Sequence, residues 1–276
     1  MRAAAESAVG WFNGLGLWSC EQGVWGKRMS SRTFDRWLYL LLHQLGVMGR
    51  ADRRYLSRLA KPGMTVIDVG ANVGLYSLLM ADLVGNAGCV HAFEPDPELS
   101  ALLRANCGAN KASNVHVHAI ALGSRSERLV LNRFSLNSGD NYLGPSPEAA
   151  FRSPVDVVVE PLGGVLPGIH PDLIKVDVQG WELKVLRGMA PTLRDSSPLV
   201  HLELWPEGLS RAGDTPSDIF GFFDELGYGL SLDVGAPALS EAAFGALARG
   251  LRGKSFVNLL AARRDGPGGR HSGAAP

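Results

Sequence analysis

The sequence predicts an α/β chain built on a doubly wound, mostly parallel sheet. Three observations carry this expectation. Short β-rich apolar runs alternate with helical stretches, the runs are apolar on both faces, and a glycine-bearing turn, DVGANVG (68–74), joins the first run of the series to its helix. With 276 residues, 46% of them apolar and 20% charged, the chain buries a full core without staples.

Apolar residues fall at helical spacing from Thr33 to about Leu45 and from Arg50 to Leu59, with Gly46 and Gly49 as punctuation, so an N-terminal helical extension (1–48) precedes the main domain (49–264). MTVIDVG (64–70) reads as a strand buried on both faces. Leu75, Leu78, Leu79 and Leu83 then mark a helix with one apolar stripe. CVHAF (89–93) is a second strand, Leu99, Leu102, Leu103 and Cys107 line the next helix, and VHVHAI (115–120) is a third strand. That order implies right-handed crossovers and helices on both faces.

Residues 124–168 break the rhythm and read as an inserted hairpin region, with RLVLNRF (128–134) and VDVVV (155–159) as short strands. The alternation resumes with the strand DLIKVDV (172–178), a helix over about 181–188 and the strand PLVHLEL (198–204). A helix over about 216–226 and strands near 228–232 and 255–262 follow, and the Gly/Pro/Ser tail from Asp265 to Pro276 is expected to be disordered.

Composition narrows the classes. Cys20, Cys89 and Cys107 are too few and too scattered for a disulfide framework, and no Cys/His spacing suggests a metal. Glu6, Gly10, Asn13, Gly14 and Gly16 interrupt any signal-like apolar run, and no stretch approaches the ~18 apolar residues of a spanning helix. A cytoplasmic protein is expected. Zero formal net charge gives no pointer to nucleic acid, although the basic stretch from Lys27 to Lys61 reads either as a solvated helix face or as an attractor for a phosphorylated acceptor.

Ligands of open parallel sheets sit beyond the carboxyl ends of the strands, where the strand order reverses. Gly70 and Gly74 allow a tight turn and close backbone approach there, as they would in any strand-to-helix turn. Asn72 replaces the middle glycine of a pyrophosphate-binding pattern, and Asp68 places an anion beside the loop, which suits an ammonium and repels phosphates. Glu94, closing the second strand in FEPDP (93–97), is placed to accept both hydroxyls of a ribose, whereas Asp96 is the better helix N-cap. A nucleoside joined to an amino acid with no phosphate between fits this set: S-adenosylmethionine.

VIDVGANVGLYS, FEPDP, the NSG of 137–139, LIKVDVQGWELKVLRG and LELWP, in this order over residues 64–206, resemble the successive motifs of the FkbM family of S-adenosylmethionine-dependent methyltransferases. The resemblance implies a class I, Rossmann-like methyltransferase fold of seven strands, the last antiparallel, and O-methylation of sugar or polyketide hydroxyls. It implies that Asp68, Gly70, Asn72, Gly74 and Glu94 line the cofactor site, and Ala71, Pro95 and Asp96 fall within the same two motifs. Gln179 stands where the family has glutamate, Trp205 where histidine is common, and EPLGG (160–164) where a Leu-Asp pair is usual.

Lys175 and Asp177, two apart on a strand, share a face. Asp177, at the strand's carboxyl end, is the first candidate for the base that takes or orients the acceptor proton, with Glu203 the second. The alternative for Lys175 and Asp177 is a structural ion pair, and for His201 a core histidine. Gln179 is no base but can hydrogen-bond an acceptor. A divalent metal is conceivable without any convincing ligand cluster, and homo-oligomerisation stays open. Two rival readings are a catalytically impaired methyltransferase-like binding module, suggested by Gln179 and Trp205, and a nicotinamide-dependent oxidoreductase, disfavoured by Asn72 and Asp68.

Overall fold

The computed structural model describes residues 20–31, 33–133, 141–143 and 154–265. The NSG motif and all of the expected disordered tail beyond Asp265 lie outside the described residues.

A hairpin, β1 (Glu21–Val24) and β2 (Lys27–Ser30), opens the described chain, followed by α1 (Phe34–Gln44) and α2 (Arg50–Leu59). The main domain begins with β3 (Thr65–Val69), α3 (Leu75–Val84), β4 (Cys89–Phe93), α4 (Pro97–Ala109) and β5 (Val115–His118). Four short strands come next: β6 (Ala121–Leu122), β7 (Glu127–Asn132), β8 (Tyr142–Leu143) and β9 (Val155–Glu160). After the single turn α5 (Leu162–Val165) come β10 (Leu173–Val176), α6 (Glu182–Gly188), α7 (Ala190–Ser196), β11 (Leu199–Leu204) and α8 (Pro206–Arg211). The chain closes with α9 (Pro216–Glu225), β12 (Tyr228–Ser231), α10 (Glu241–Gly250) and β13 (Val257–Arg263).

Seven strands form the central sheet in the order β12-β13-β11-β10-β3-β4-β5. β13 runs antiparallel to both neighbours, and the other pairings are parallel. The last strand in sequence is thus the antiparallel one, which gives the class I methyltransferase topology. Its central strands are apolar on both faces because both faces are covered: Val66, Ile67, Ile174, Val176, Val200 and Leu202 are all fully buried. α3 is buried more broadly than one stripe, since Leu75, Ser77, Leu78, Met80, Ala81 and Val84 are all inside.

The expected insertion forms its own sheet, β6-β9-β7-β8, in which β7 pairs antiparallel with β9 and β8. The β1–β2 hairpin had no counterpart in the sequence reading. Its turn, Trp25 and Gly26, has positive φ at both positions (53° and 80°), as two-residue hairpin turns require, but Trp-Gly lacks the Asn-Gly signature. The hairpin docks on α4, where Asn106 and Asn110 side-chain oxygens accept the Ser30 and Arg28 backbone N–H groups. The basic stretch does not converge on one place. Lys27, Arg28, Arg36 and Arg58 pair with Asp82, Glu21, Glu98 and Asp233, and Arg53 lies over the Trp25 ring. Among the described residues no helix is long and apolar enough to cross a membrane.

Candidate active site

The strand order reverses between β3 and β10, so the loops leaving their carboxyl ends flank a crevice. A cavity of about 600 Å³ opens there. Gly70, Ala71, Asn72, Glu94 and Pro95 line one half, with Ile120 and Leu122, just before the inserted region, and Tyr142 within it also in the lining. Asp177, Gln179, His201 and Glu203 line the other, beneath Tyr39, His43 and Asp52 of the N-terminal helices. The expected boundary at residue 48 therefore falls between two helices, α1 and α2, that wall the same cavity.

The loop after β3 is held by its own hydrogen bonds. Gly70 and Ala71 N–H both donate to Phe93 O, Asn72 N–H to Glu94 Oε2, Val73 N–H to Asn72 Oδ1 and Gly74 N–H to Ala71 O. Five consecutive amides are spent internally, so none is left to cradle a phosphate, in contrast to a pyrophosphate-binding loop. Gly70, at φ 81°, is irreplaceable on geometric grounds: a Cβ there would lie 1.9 Å from the Asp177 carbonyl oxygen. This contact ties the loop to the end of β10.

Glu94 is buried, and its two oxygens accept from Asn72 N–H and Asp96 N–H, each at 2.9 Å. Burial pushes its pKa up to about 7, against the lowering effect of the Asp96 N–H. A carboxylate has about four lone-pair sites, so acceptor capacity remains for hydroxyl donors in the cavity.

Three of the residues expected to line the cofactor site stand outside the cavity lining. Asp68 is wholly buried below the loop, outside the cavity lining, where it accepts the Ser77 hydroxyl at 2.6 Å and faces Lys175 Nζ at 3.5 Å. Lys175 is thus its counterion. Gly74 caps α3 at φ 88° and serves packing, since a Cβ there would strike Leu103 Cδ1 at 2.1 Å. Asp96 is the N-cap of α4, accepting from Glu98 and Leu99 N–H, and does not line the cavity. None of the described lysines and arginines between Lys27 and Lys61 lines the cavity, so the basic stretch lends a phosphorylated acceptor no support there.

Strand register sets the opposite half. Asp68, Lys175 and His201 lie side by side on β3, β10 and β11, and Glu203 stands across from Asn258 of β13. Lys175 Nζ reaches Asp177 Oδ2 at 3.3 Å and stands 5.4 Å from the centre of the Tyr76 ring. Burial pulls its pKa down, but Asp177 and Asp68 outweigh this and the net shift is upward. Lys175 is therefore a fixed cation that pairs two carboxylates, not a proton acceptor. The Asp177 side chain keeps 34% of its surface exposed, unlike Asp68 at 0%.

Gln179 supplies what the sequence could not show. At φ 54°, followed by Gly180 at φ 102°, it turns back so that Nε2 donates to Asp177 Oδ1 (3.3 Å) and Glu203 Oε2 (3.2 Å). Glu182, buried within α6, accepts the Gly180 N–H at 2.9 Å and so fixes this turn. Burial, then the Asp177 and Glu182 carboxylates, push the Glu203 pKa up. Glu203 is thus biased to hold its proton. His201 is pushed down to about 4 by burial and by Lys175, so it is neutral, and both its ring nitrogens are buried without a hydrogen-bond partner. Trp205 donates its indole N–H to Gly253 O and lies under Arg211.

The sequence reading missed the wall above these groups. His43 Nδ1 bonds Tyr39 O at 2.8 Å, the Tyr76 hydroxyl donates to Asp52 Oδ2 at 3.1 Å, and Asn258 Nδ2 donates to Asp52 Oδ1 at 2.7 Å. Only the spacing of Tyr39 and His43, four apart and hence on one helix face, hinted at it. Among the described residues no group of three or more His, Cys, Asp or Glu is arranged to hold a metal.

The sequence profile of the methyltransferase FkbM domain matches residues 68–230, more than half of the chain. The chain is 32% identical over 176 residues to methyltransferase sdnD of Sordaria araneosa, covering 52% of this chain and 68% of that protein. It is 27% identical over 144 residues to methyltransferase 1 of Beauveria bassiana (strain ARSEF 2860), covering 45% and 57%. The crystal structure of methyltransferase FkbM from Methylobacillus flagellatus KT superposes with a TM-score of 0.45 at 16% identity, over 82% of this chain and 53% of that one. The chain thus spans about half the length of that bacterial protein. Profile, fungal relatives and strand order agree, and the chain belongs to the FkbM family of S-adenosylmethionine-dependent methyltransferases.

Proposed function

We propose that this chain transfers a methyl group from S-adenosylmethionine to a hydroxyl oxygen of a sugar, glycan or polyketide-type small molecule, with the cavity between β3 and β10 as the site. The observation that carries the reading is the contact of the two halves: the glycine loop closes onto the backbone of the residue whose carboxylate faces the other half. The cavity fits the cofactor. Gly70, which lines the cavity, lets the loop close onto the Asp177 backbone where a Cβ would clash, Glu94 presents spare acceptor capacity, and the loop amides are closed to phosphate.

When bound, S-adenosylmethionine supplies an electrophilic methyl group. Glu94 would hold ribose hydroxyls, and Ala71, Asn72 and Pro95 would bound the nucleoside. Asp177, steadied by Lys175 and Gln179, accepts the proton that leaves the acceptor oxygen as the new C–O bond forms. The electron pair of the sulfur–methyl bond would stay with sulfur, so charge and atoms balance. Trp205 and Gln179 are compatible with activity here, because Gln179 orients two carboxyl groups and Trp205 braces the 253 loop.

Calorimetric titration is expected to show binding of S-adenosylmethionine and S-adenosylhomocysteine but not NAD, and tritium from labelled S-adenosylmethionine is expected on a hydroxyl-bearing acceptor. Tight NAD binding without any response to S-adenosylmethionine would end the proposal.

Glu94→Ala is expected to weaken S-adenosylhomocysteine binding by ~1.5 to 3 kcal/mol through loss of charge-assisted hydrogen bonds. pH gives an independent check. Because the Glu94 pKa is raised to about 7, the charged form that accepts from ribose is lost as pH falls through 7. Affinity should drop between pH 8 and pH 6, approaching about tenfold per unit on the acid side. The dependence should vanish in Glu94→Gln, and a flat profile in the unsubstituted protein would remove Glu94 from the site.

A further inference from the structure

Three carboxyl groups, on Asp52, Asp177 and Glu203, line the half of the cavity away from the glycine loop. Among the described residues their cations are few. The Lys175 ammonium is divided between Asp68 and Asp177. Among the described residues Asp52 is hydrogen-bonded by neutral partners, the Tyr76 hydroxyl and the Asn258 amide, and Glu203 is held by the Gln179 amide. The remaining basic groups lining the cavity are His43 and His201, whose pKa values are lowered, and exposed Lys254. Carboxyls crowded together with few cations in a partly desolvated site either stay charged at an electrostatic cost or, as Glu203 is biased to do, keep a proton, and an incoming positive charge relieves the first and releases the second.

A second feature points to a ligand independently of the acids. His201 is 3% exposed and borders the cavity, yet neither ring nitrogen has a hydrogen-bond partner. Buried polar side chains are satisfied in the large majority of cases, and a neutral imidazole carries one bare nitrogen able to accept from an N–H or O–H donor. Tyr39 and Phe256 also line this half, and aromatic rings suit a cation over a carboxylate-bearing acceptor.

Resting on the methyltransferase reading above, we infer that the acceptor carries a positive charge close to the methylated hydroxyl, as an amino sugar or other amino alcohol does, and that Asp52 and Glu203 recognise its ammonium. The ammonium is a recognition element, and the methyl group still goes to oxygen. Neutral acceptors of the same shape bind less well, and acidic ones are repelled.

The test uses the full chain saturated with S-adenosylhomocysteine and three probes that differ at one substituent: D-glucosamine, D-glucose and D-glucuronate. Calorimetry or tryptophan fluorescence should rank them in that order, with glucosamine about tenfold or more tighter than glucose, as charge-assisted hydrogen bonds supply. Raising NaCl should weaken glucosamine binding and leave glucose unchanged. Asp52→Asn and Glu203→Gln, both near-isosteric, should each erase most of the preference while S-adenosylhomocysteine affinity stays as it was. Equal binding of the three probes, or a preference that survives both substitutions, overturns the inference. Loss of S-adenosylhomocysteine binding by the unsubstituted chain instead overturns the underlying assignment of the site.

Discussion

Asp177→Asn is expected to lower methyl transfer by ~10²-fold or more with little change in S-adenosylhomocysteine affinity, in the range that general base catalysis supplies. The substitution preserves shape. Asn Oδ1 can still accept from Gln179, and the buried Lys175 ammonium keeps Asp68 as its counterion, so no orphaned charge is created in the core. What disappears is basicity at the cavity-facing carboxylate that has both an exposed surface and two neighbours to hold it. Neither remaining candidate compensates, because Lys175 stays charged and Glu203 is biased toward its protonated form. Turnover and cofactor affinity should be measured on one preparation. Undiminished turnover removes Asp177 from the mechanism, and loss of cofactor binding alone reassigns it to the donor side.

Gly70→Ala should damage both stability and cofactor binding. A residue with a Cβ at φ 81° costs ~1 to 2 kcal/mol by itself. The added methyl would also sit 1.9 Å from the Asp177 carbonyl oxygen and 2.9 Å from its carbon, so backbone must move on one side or the other. Overpacking of this kind adds ~1 to 3 kcal/mol, and the two costs together, at ~2 to 4 °C per kcal/mol for a chain of this size, lower Tm by roughly 4 to 20 °C. Binding should suffer more than stability. A shift of about 1 Å in positioning groups is worth ~10²-fold, and the displaced loop carries Ala71 and Asn72. Gly63→Ala is the matched control, with φ 84° and no atom within 4 Å of its added Cβ. It should lose about 1 kcal/mol of stability and bind S-adenosylhomocysteine normally. A Gly70→Ala protein that melts and binds like the unsubstituted chain would show that the loop does not depend on its contact with Asp177.

The central strands were legible because burial on both faces leaves an apolar run with turn residues at each end: CVHAF coincides with β4, and VDVVV with β9 to within one residue. Gly70, Asn72, Glu94 and Asp177 were legible for a related reason, since each owes its position to the end of a strand a few residues away. β1–β2, α7, α8 and α10 went unread, being short elements whose order comes from docking more than from local pattern.

What the sequence by itself determined was the α/β rhythm, the placing of a loop and an acid at the carboxyl edge, and the kinship with a methyltransferase family. Which carboxylate faces the cavity was decided only by tertiary structure. Asp68 and Asp177 both end strands of the same sheet, but Ser77 and Lys175 close over the first while the turn at Gln179 leaves the second partly open. The Tyr39, His43 and Asp52 wall likewise depends on helices that precede the sheet in the chain and return over it. Strand and turn preferences act over a few residues, whereas the environment of a charge is set by whatever the fold brings within ~4 to 6 Å of it, and that includes residues a hundred or more positions away.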